Sequence, residues 1–369
     1  MRILIAPDKF KGSLTALAAA QAIERGFRSV FPNVGIDIAP IADGGEGFTE
    51  ALGAAMGAER ITVPSCDPIG REIEASYAWV AGSRVAIIEM SEASGLWRLK
   101  PEERDPFVAN TFGTGLLIRD AINRGARKIL VGLGGSATTD GGIGMARALG
   151  YRFLNEAGEY QPLPGTLDLL AAVERPVDIV MPEIIAACDV QNPLTGERGT
   201  ARVYSPQKGA DPHTVEFLEG AMWRLADVCR ASFERDFRDI PGAGAAGGLG
   251  FGLLTFCDAQ IRPGFDIVAE TMNLDARIAA ADIVITGEGR LDDQTLDGKG
   301  PAGVAQRARA AGRKVLAFGG AVTRTAEDAG IFDILIPIAD RPMDLKDAMK
   351  DAAVLLERAT MRAAKLIAL

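Results

Sequence analysis

Both ends of the chain carry the same alternation of short apolar strands and helices, and the middle does not. At the front, "RILIAP" is a β-branched run ending in proline, and "TALAAAQAIERGFRSVF" has helical spacing. "GIDIAPIA" is a second strand, and "GEGFTEALGAAMG" opens a second helix. At the back, "ADIVITGEG", "KVLAFGG" and "FDILIPIA" are strands, with "PAGVAQRARAAG" helical between the first two. One long helix, "DLKDAMKDAAVLLERATMRAAKLIAL", closes the chain. Strands separated by helices pair in parallel, because each helix must carry the chain back to the starting edge of the sheet. In between, "REIEASYAWVAGSRVAIIEMS" from Arg71 to Ser91 reads as two alternating strands around "AGS". That is a hairpin pattern, and it interrupts a parallel series. Helices are expected from Phe112 to Arg124 and from Pro212 to Phe233. The expected fold is α/β: a discontinuous parallel-sheet domain, residues 1–63 plus 266–369, with a second mixed α/β domain, residues 64–265, inserted into it.

Charge and composition exclude several functions. The formal net charge is −9, whereas a nucleic-acid binder presents a basic face to phosphates. No apolar run reaches the length of a membrane span. The opening "MRILIAPDKF" reads as a first strand rather than a secretory signal. Cys66, Cys188, Cys229 and Cys257 are scattered and form no CxxC, which points away from zinc and toward a reduced, cytoplasmic protein. His213 is the single histidine and stands in the polar stretch "KGADPHTVEF". Proton transfer therefore falls first to carboxylates or lysines.

Five polar or glycine-rich segments follow expected strands, where rigid scaffolds usually place function. "APDKFKGSLTA" carries Asp8, Lys9, Lys11 and Ser13, with Ser13 or Thr15 available to cap the next helix. "IADGGEGF" places Asp43 before a glycine turn. "VGLGGSATTDGGIG" contains Gly132, Gly134 and Ala137 at dinucleotide-fingerprint spacing, with Glu156 further on, but "TTDGG" delays the helix that the fingerprint needs. An anion-binding loop through Gly134, Gly135 and Ser136 is the competing reading, with Thr138, Thr139 and Asp140 adding polar groups. "CDVQNPLTG" pairs Asp189 with Asn192, either a turn or a pair of oxygen ligands for Mg²⁺. "ITGEGRLDDQTLDGKG" crowds Glu288, Arg290, Asp292, Asp293 and Lys299 together and is the densest polar group in the chain.

A sixth stretch, "GAGAAGGLGFG" from Gly242 to Gly252, has no buried strand before it, so its GxGxxG is not a dinucleotide site. It reads as a loop whose backbone N–H groups, around Gly244, Gly247 and Gly248, surround an anion, or else as a hinge. There is no GxxxxGK[ST], which disfavours a P-loop fold, and no HRD or DFG set, so protein-kinase machinery is absent.

Taken together, "APDKFKGSLTA", "ADGGEG", "GLGGSATTDGG", "CDVQNPLTG", "GAGAAGGLGFG" and "TGEGRLDDQTLDGKGPAGVA" resemble the type 1 glycerate kinase family, in this order and over nearly the whole chain. The resemblance implies a flavodoxin-like domain with a second α/β domain, and phosphorylation of (R)-glycerate by ATP and Mg²⁺ to 2-phosphoglycerate. Within that reading, Asp189 or Asp292 accepts the hydroxyl proton and the other helps hold Mg²⁺, with Asn192 a further metal ligand. Lys11 and Lys299 neutralise phosphate oxygens, and Arg290 adds a cation for the substrate. Asp8 and Asp43 contact substrate hydroxyls. The loops 134–142 and 242–252 supply N–H groups to ATP or to the glycerate carboxylate. Expected partners are these small molecules alone, acting on a monomer or homodimer. The alternatives are phosphorylation at the 3-position, an NAD-linked hydroxy-acid oxidoreductase, and a binding protein without turnover.

Overall fold

The computed structural model describes residues 1–42, 44–296 and 300–368. Asp43 and Lys299, both expected in the site, lie outside the described residues. The strands are β1 (Arg2–Ile5), β2 (Gly35–Ile38), β3 (Glu59–Cys66), β4 (Glu72–Val80), β5 (Val85–Glu89), β6 (Lys128–Gly132) and β7 (Arg152–Asn155). They continue as β8 (Gly158–Tyr160), β9 (Ala172–Glu174), β10 (Glu183–Ala187), β11 (Gln260–Arg262), β12 (Ile283–Leu291), β13 (Lys314–Val322) and β14 (Ile334–Pro337). The chain divides into two compact units, Met1–Asp43 with Phe265–Leu369, and Gly44–Gly264.

The first unit is a five-stranded sheet in the order β14-β13-β12-β1-β2, with every neighbouring pair parallel. Numbered within the unit this is 2-1-3-4-5, the flavodoxin-like order. Ile3, Leu4 and Ile5 are fully buried, as a strand covered on both faces requires. Helix Ala16–Arg28 buries Ala19, Ala20, Ile23 and Phe27 on one stripe. Those residues share a core with Leu355, Leu356, Ala359 and Ala363 of helix Ala352–Ile367. Gly26 lets the two helices meet closely, since a Cβ there would lie 2.6 Å from the Glu357 carbonyl oxygen. Of the two capping candidates Thr15 does the work, accepting from the Ala18 N–H, while Ser13 Oγ donates to the Phe10 carbonyl. The long closing helix is in fact two, Leu345–Lys350 and Ala352–Ile367, separated at Asp351.

The second unit holds a six-stranded sheet, β11-β10-β6-β5-β4-β3. β11, β10, β6 and β5 are parallel, and β4 and β3 add on antiparallel. The expected hairpin is β4–β5, with Ala78 opposite Ile87. β3 is an addition that sequence reading passed over. It is charged and carries Pro64, tolerated because β3 is the sheet edge. Helix Phe48–Met56 belongs with this unit, beside β4 and β5. A small antiparallel sheet, β8-β7-β9, stands apart. Helix Pro212–Phe233 has the expected bounds and is capped by Asp211, which accepts from the Thr214 N–H at 2.7 Å. Tyr151, Phe153, Phe233 and Phe256 stack edge to face in the core.

Candidate active site

In an open parallel sheet, ligands bind beyond the carboxyl ends of the strands, where the strand order reverses. In the first unit that point lies between β1 and β12. The chain leaving β1 stays beside β12: the Asp8 N–H donates to the Gly287 carbonyl at 2.8 Å. It then closes a tight turn, in which Phe10 and Leu14 exchange backbone hydrogen bonds around Gly12 at φ 76°. Lys11 is exposed at the tip of that turn, above the buried Phe10. Gly289 of β12 allows the turn to settle, because a Cβ there would come 3.1 Å from the Lys11 nitrogen.

A cavity of about 530 Å³ opens at this edge, lined by residues that follow β1 and β14 and by the carboxyl-terminal ends of β12 and β13. It gathers Asp8, Lys9, Lys11, Glu288, Arg290 and Asp292. Asp8 is buried and accepts the Lys9 N–H at 2.6 Å, with the Lys9 Nζ 3.8 Å from its Oδ1. Thr295 Oγ1 ties the second strand end together: it donates to Glu288 at 2.6 Å and accepts the Asp292 N–H at 3.0 Å. Arg290 Nε lies 2.8 Å from Asp292, with the arginine side chain 69% exposed. Of the expected site residues, Asp8, Lys11, Arg290 and Asp292 therefore share one cavity. Lys9, expected as a local cation offsetting the repulsion of the two anions, lines the same cavity, and so does Glu288, which sequence reading placed in its segment without a role.

The second unit presents its own strand ends. The segment after β6 has a half-exposed tip, residues 133–136, and a buried foot, residues 137–144. Asp140 organises the foot. Its carboxylate accepts from the Thr111 N–H and hydroxyl, both at 2.8 Å, from Gly142 N–H at 3.1 Å and from Gly144 N–H at 3.0 Å. Complete burial pushes the Asp140 carboxyl up, and these four hydrogen bonds pull it back. The helix that follows, Ile143–Ala148, thus has the chain's own carboxylate at its start. Ten residues separate its start from the end of β6, so the dinucleotide fingerprint at Gly132, Gly134 and Ala137 lacks its structural context.

The glycines expected to face an anion have near neighbours of their own. A Cβ on Gly134 would stand 2.4 Å from the Gly45 Cα, and one on Gly244 2.1 Å from the Pro193 carbonyl oxygen. On Gly247 it would stand 1.7 Å from the Thr138 carbonyl oxygen, and on Gly248 2.8 Å from the Gly141 Cα. Gly247 and Gly248 are pressed onto the backbone of the 138–141 segment, and Gly244 onto Pro193. Ala246, Gly247 and Gly248 all have positive φ, and a helix then runs to Cys257. That helix was not foreseen. Gly135 and Ser136 remain at the tip, Gly135 exposed and Ser136 half-buried.

Asp189 follows β10 and its Oδ1 accepts the Gly264 N–H at 3.0 Å. Asn192 is engaged at both ends, its amide donating to the Arg198 carbonyl at 2.8 Å and its oxygen accepting from the Tyr204 hydroxyl at 2.7 Å. That arrangement is a turn lock and suits a metal ligand poorly. Among the described residues no group of three or more His, Cys, Asp or Glu could enclose a metal. Mg²⁺ in a nucleotide site needs only one or two carboxylates beside substrate phosphates. Glu288 and Asp292 at the first unit's cavity fit that requirement.

Lysines, an arginine and hard oxygen acceptors at the mouth of a parallel sheet define an enzyme that handles small anions, phosphates among them, without a P-loop. The glycerate kinase family model matches residues 3–368. A glycerate kinase of Halalkalibacterium halodurans is 44% identical over 97% of this chain and 96% of its own length. A glycerate 2-kinase of Escherichia coli is 42% identical over 90% of this chain and 87% of its own. A solved structure described as a glycerate kinase 2 from Salmonella typhimurium LT2 superposes with a TM-score of 0.89 at 40% identity, covering 100% of this chain and 98% of that one. The chain belongs to the glycerate kinase family. No helix among the described residues is long and apolar enough to cross a membrane.

Proposed function

We propose that this chain transfers the γ-phosphoryl group of ATP to the 2-hydroxyl of (R)-glycerate, giving 2-phosphoglycerate and ADP. The observation that carries the reading is the cavity at the β1/β12 strand ends, in a chain of this family. There Lys9, Lys11 and Arg290 stand among carboxylates in an otherwise acidic protein. Glycerate and ATP are both anions, and local cations offset their repulsion.

Phosphoryl transfer asks the protein mainly for positioning and charge stabilisation. The hydroxyl oxygen of glycerate forms the new bond to the γ-phosphorus. The bond from that phosphorus to the bridging oxygen breaks, and ADP leaves with the electron pair. The hydroxyl proton goes to a carboxylate, since His213 is exposed in the first turn of helix Pro212–Phe233. We assign that step to Asp189, whose carboxylate is held by the Gly264 N–H. Asp292 and Glu288 would hold Mg²⁺, which when bound supplies positive charge at the phosphate oxygens. Lys11 faces the phosphates, Asp8 a substrate hydroxyl, and the 134–136 tip with its Ser136 hydroxyl an anionic oxygen. The scattered cysteines and the charge balance support a cytoplasmic setting.

The test is direct. Purified protein with D-glycerate, ATP and Mg²⁺ should form ADP only when glycerate is present. Reduction of NAD by glycerate in place of ADP formation would favour a hydroxy-acid oxidoreductase. Binding of both ligands without product would mark a non-catalytic protein.

A further inference from the structure

Lys208 has no role in the mechanism above, yet it is 1% exposed, in the short turn Pro206–Lys208. A buried ammonium is costly unless it is fully used. Its Nζ donates to Ser136 Oγ at 2.8 Å and to the Thr138 carbonyl oxygen at 2.6 Å. These two acceptors bracket the point where the loop after β6 passes from its half-exposed tip to its buried foot. The near side of the loop is already held by another segment: Leu96 N–H donates to the Gly135 carbonyl at 2.8 Å and Ala137 N–H to the Ser94 carbonyl at 2.9 Å. Burial drives the Lys208 ammonium down to about 7, against the pull of Asp140.

A methionine of similar length would fill the same space without the desolvation cost, so packing alone does not account for a lysine here. What the lysine adds is two donors in fixed positions. The consequence at Ser136 is chemical. A hydroxyl oxygen that accepts from Nζ keeps its own hydrogen to donate, and that hydrogen has no protein acceptor among the described residues.

We propose that Lys208 is a positioning residue for the phosphoryl transfer: its grip on Ser136 Oγ and the Thr138 carbonyl fixes the loop tip and aims the Ser136 O–H and nearby N–H groups at an anionic oxygen of the substrate. The proposal rests on the kinase reading of the same loop. It adds a residue that touches no reacting atom and acts through Ser136.

The experiment compares wild type, Lys208→Met, Ser136→Ala and the double variant by steady-state kinetics, with thermal unfolding measured on each. Lys208→Met should keep a single cooperative transition while kcat/KM falls at least tenfold, mostly through KM. Ser136→Ala should fall comparably, and the double variant no further than the worse single one. A folded Lys208→Met losing less than tenfold, effects that add in the double variant, or a Lys208→Met chain with no cooperative transition would each overturn the proposal. Amide hydrogen exchange over 134–140 reads the loop independently of turnover. It should quicken in Lys208→Met while the rest of the second unit keeps its protection, and unchanged exchange would also overturn the proposal. Wild-type protein that makes no ADP from glycerate removes the kinase reading alone.

Discussion

A carboxylate that takes a hydroxyl proton must be held still, and one that serves a metal must face the phosphates. Asp189 has the first property through the Gly264 N–H, and Asp292 stands in the cavity that suits the second. Asp189→Asn should therefore lower kcat by roughly 10²–10⁴-fold, the usual range for a lost general base, with the thermal midpoint nearly unchanged. Full activity in that variant removes Asp189 from the mechanism. Asp292→Asn should instead raise the Mg²⁺ concentration needed for half-maximal rate, read from a metal titration at saturating substrates. An unchanged titration would return Asp292 to a structural role. Arg290 is 69% exposed and its pair with Asp292 faces solvent, so the pair adds little to stability.

At the scale of elements, the glycine-rich stretch and Lys208 make separate claims on stability. Gly247 has φ 73° and no room for a Cβ. Gly247→Ala should cost on the order of 2–4 kcal/mol, from left-handed strain and a backbone clash together. Gly220 lies exposed inside helix Pro212–Phe233 with nothing within 4 Å of its would-be Cβ. Gly220→Ala should gain about 0.5–1 kcal/mol. Denaturant unfolding of both variants checks the contrast. Lys208 makes stability depend on pH. Its folded-state value, lowered to about 7 by burial and opposed by Asp140, lies below that of an unfolded lysine. The unfolded chain then holds more protons between those two values. The lysine's contribution to stability should rise with pH from about 7 to its unfolded value, by at most about 1.4 kcal/mol per pH unit. Unfolding at pH 7 and pH 9 should show that gain in wild type and not in Lys208→Met.

These elements also show what the sequence could reveal. Asp8, Lys11, Arg290 and Asp292 were legible as a group because each stands at or just beyond the carboxyl end of a strand, and a parallel sheet brings strand ends to one edge. Helix Pro212–Phe233 was legible through its amphipathic period, and its Asp211 cap emerged only in the structure. Lys208 was not, since "SPQKGAD" reads as a polar loop and its burial is decided by residues some seventy positions away. The glycines of 242–252 announced a close approach without saying to what, and the partners proved to be the chain's own backbone, the 138–141 segment for Gly247 and Gly248 and Pro193 for Gly244. β3 was hidden because an edge strand may carry charges and a proline.

At the scale of the whole molecule, two compact α/β units each end their parallel strands in polar loops, and the family relationship runs from residue 3 to 368. The 2- and 3-hydroxyls of glycerate differ by one carbon, so the identity of the product tests the account more sharply than turnover alone. The most direct measurement is the reaction of wild-type protein with D-glycerate, ATP and Mg²⁺, followed by enolase with no phosphoglycerate mutase present. Immediate conversion of the product to phosphoenolpyruvate is expected, because enolase dehydrates 2-phosphoglycerate. A product that reaches phosphoenolpyruvate only after mutase is added would be 3-phosphoglycerate, and would contradict it.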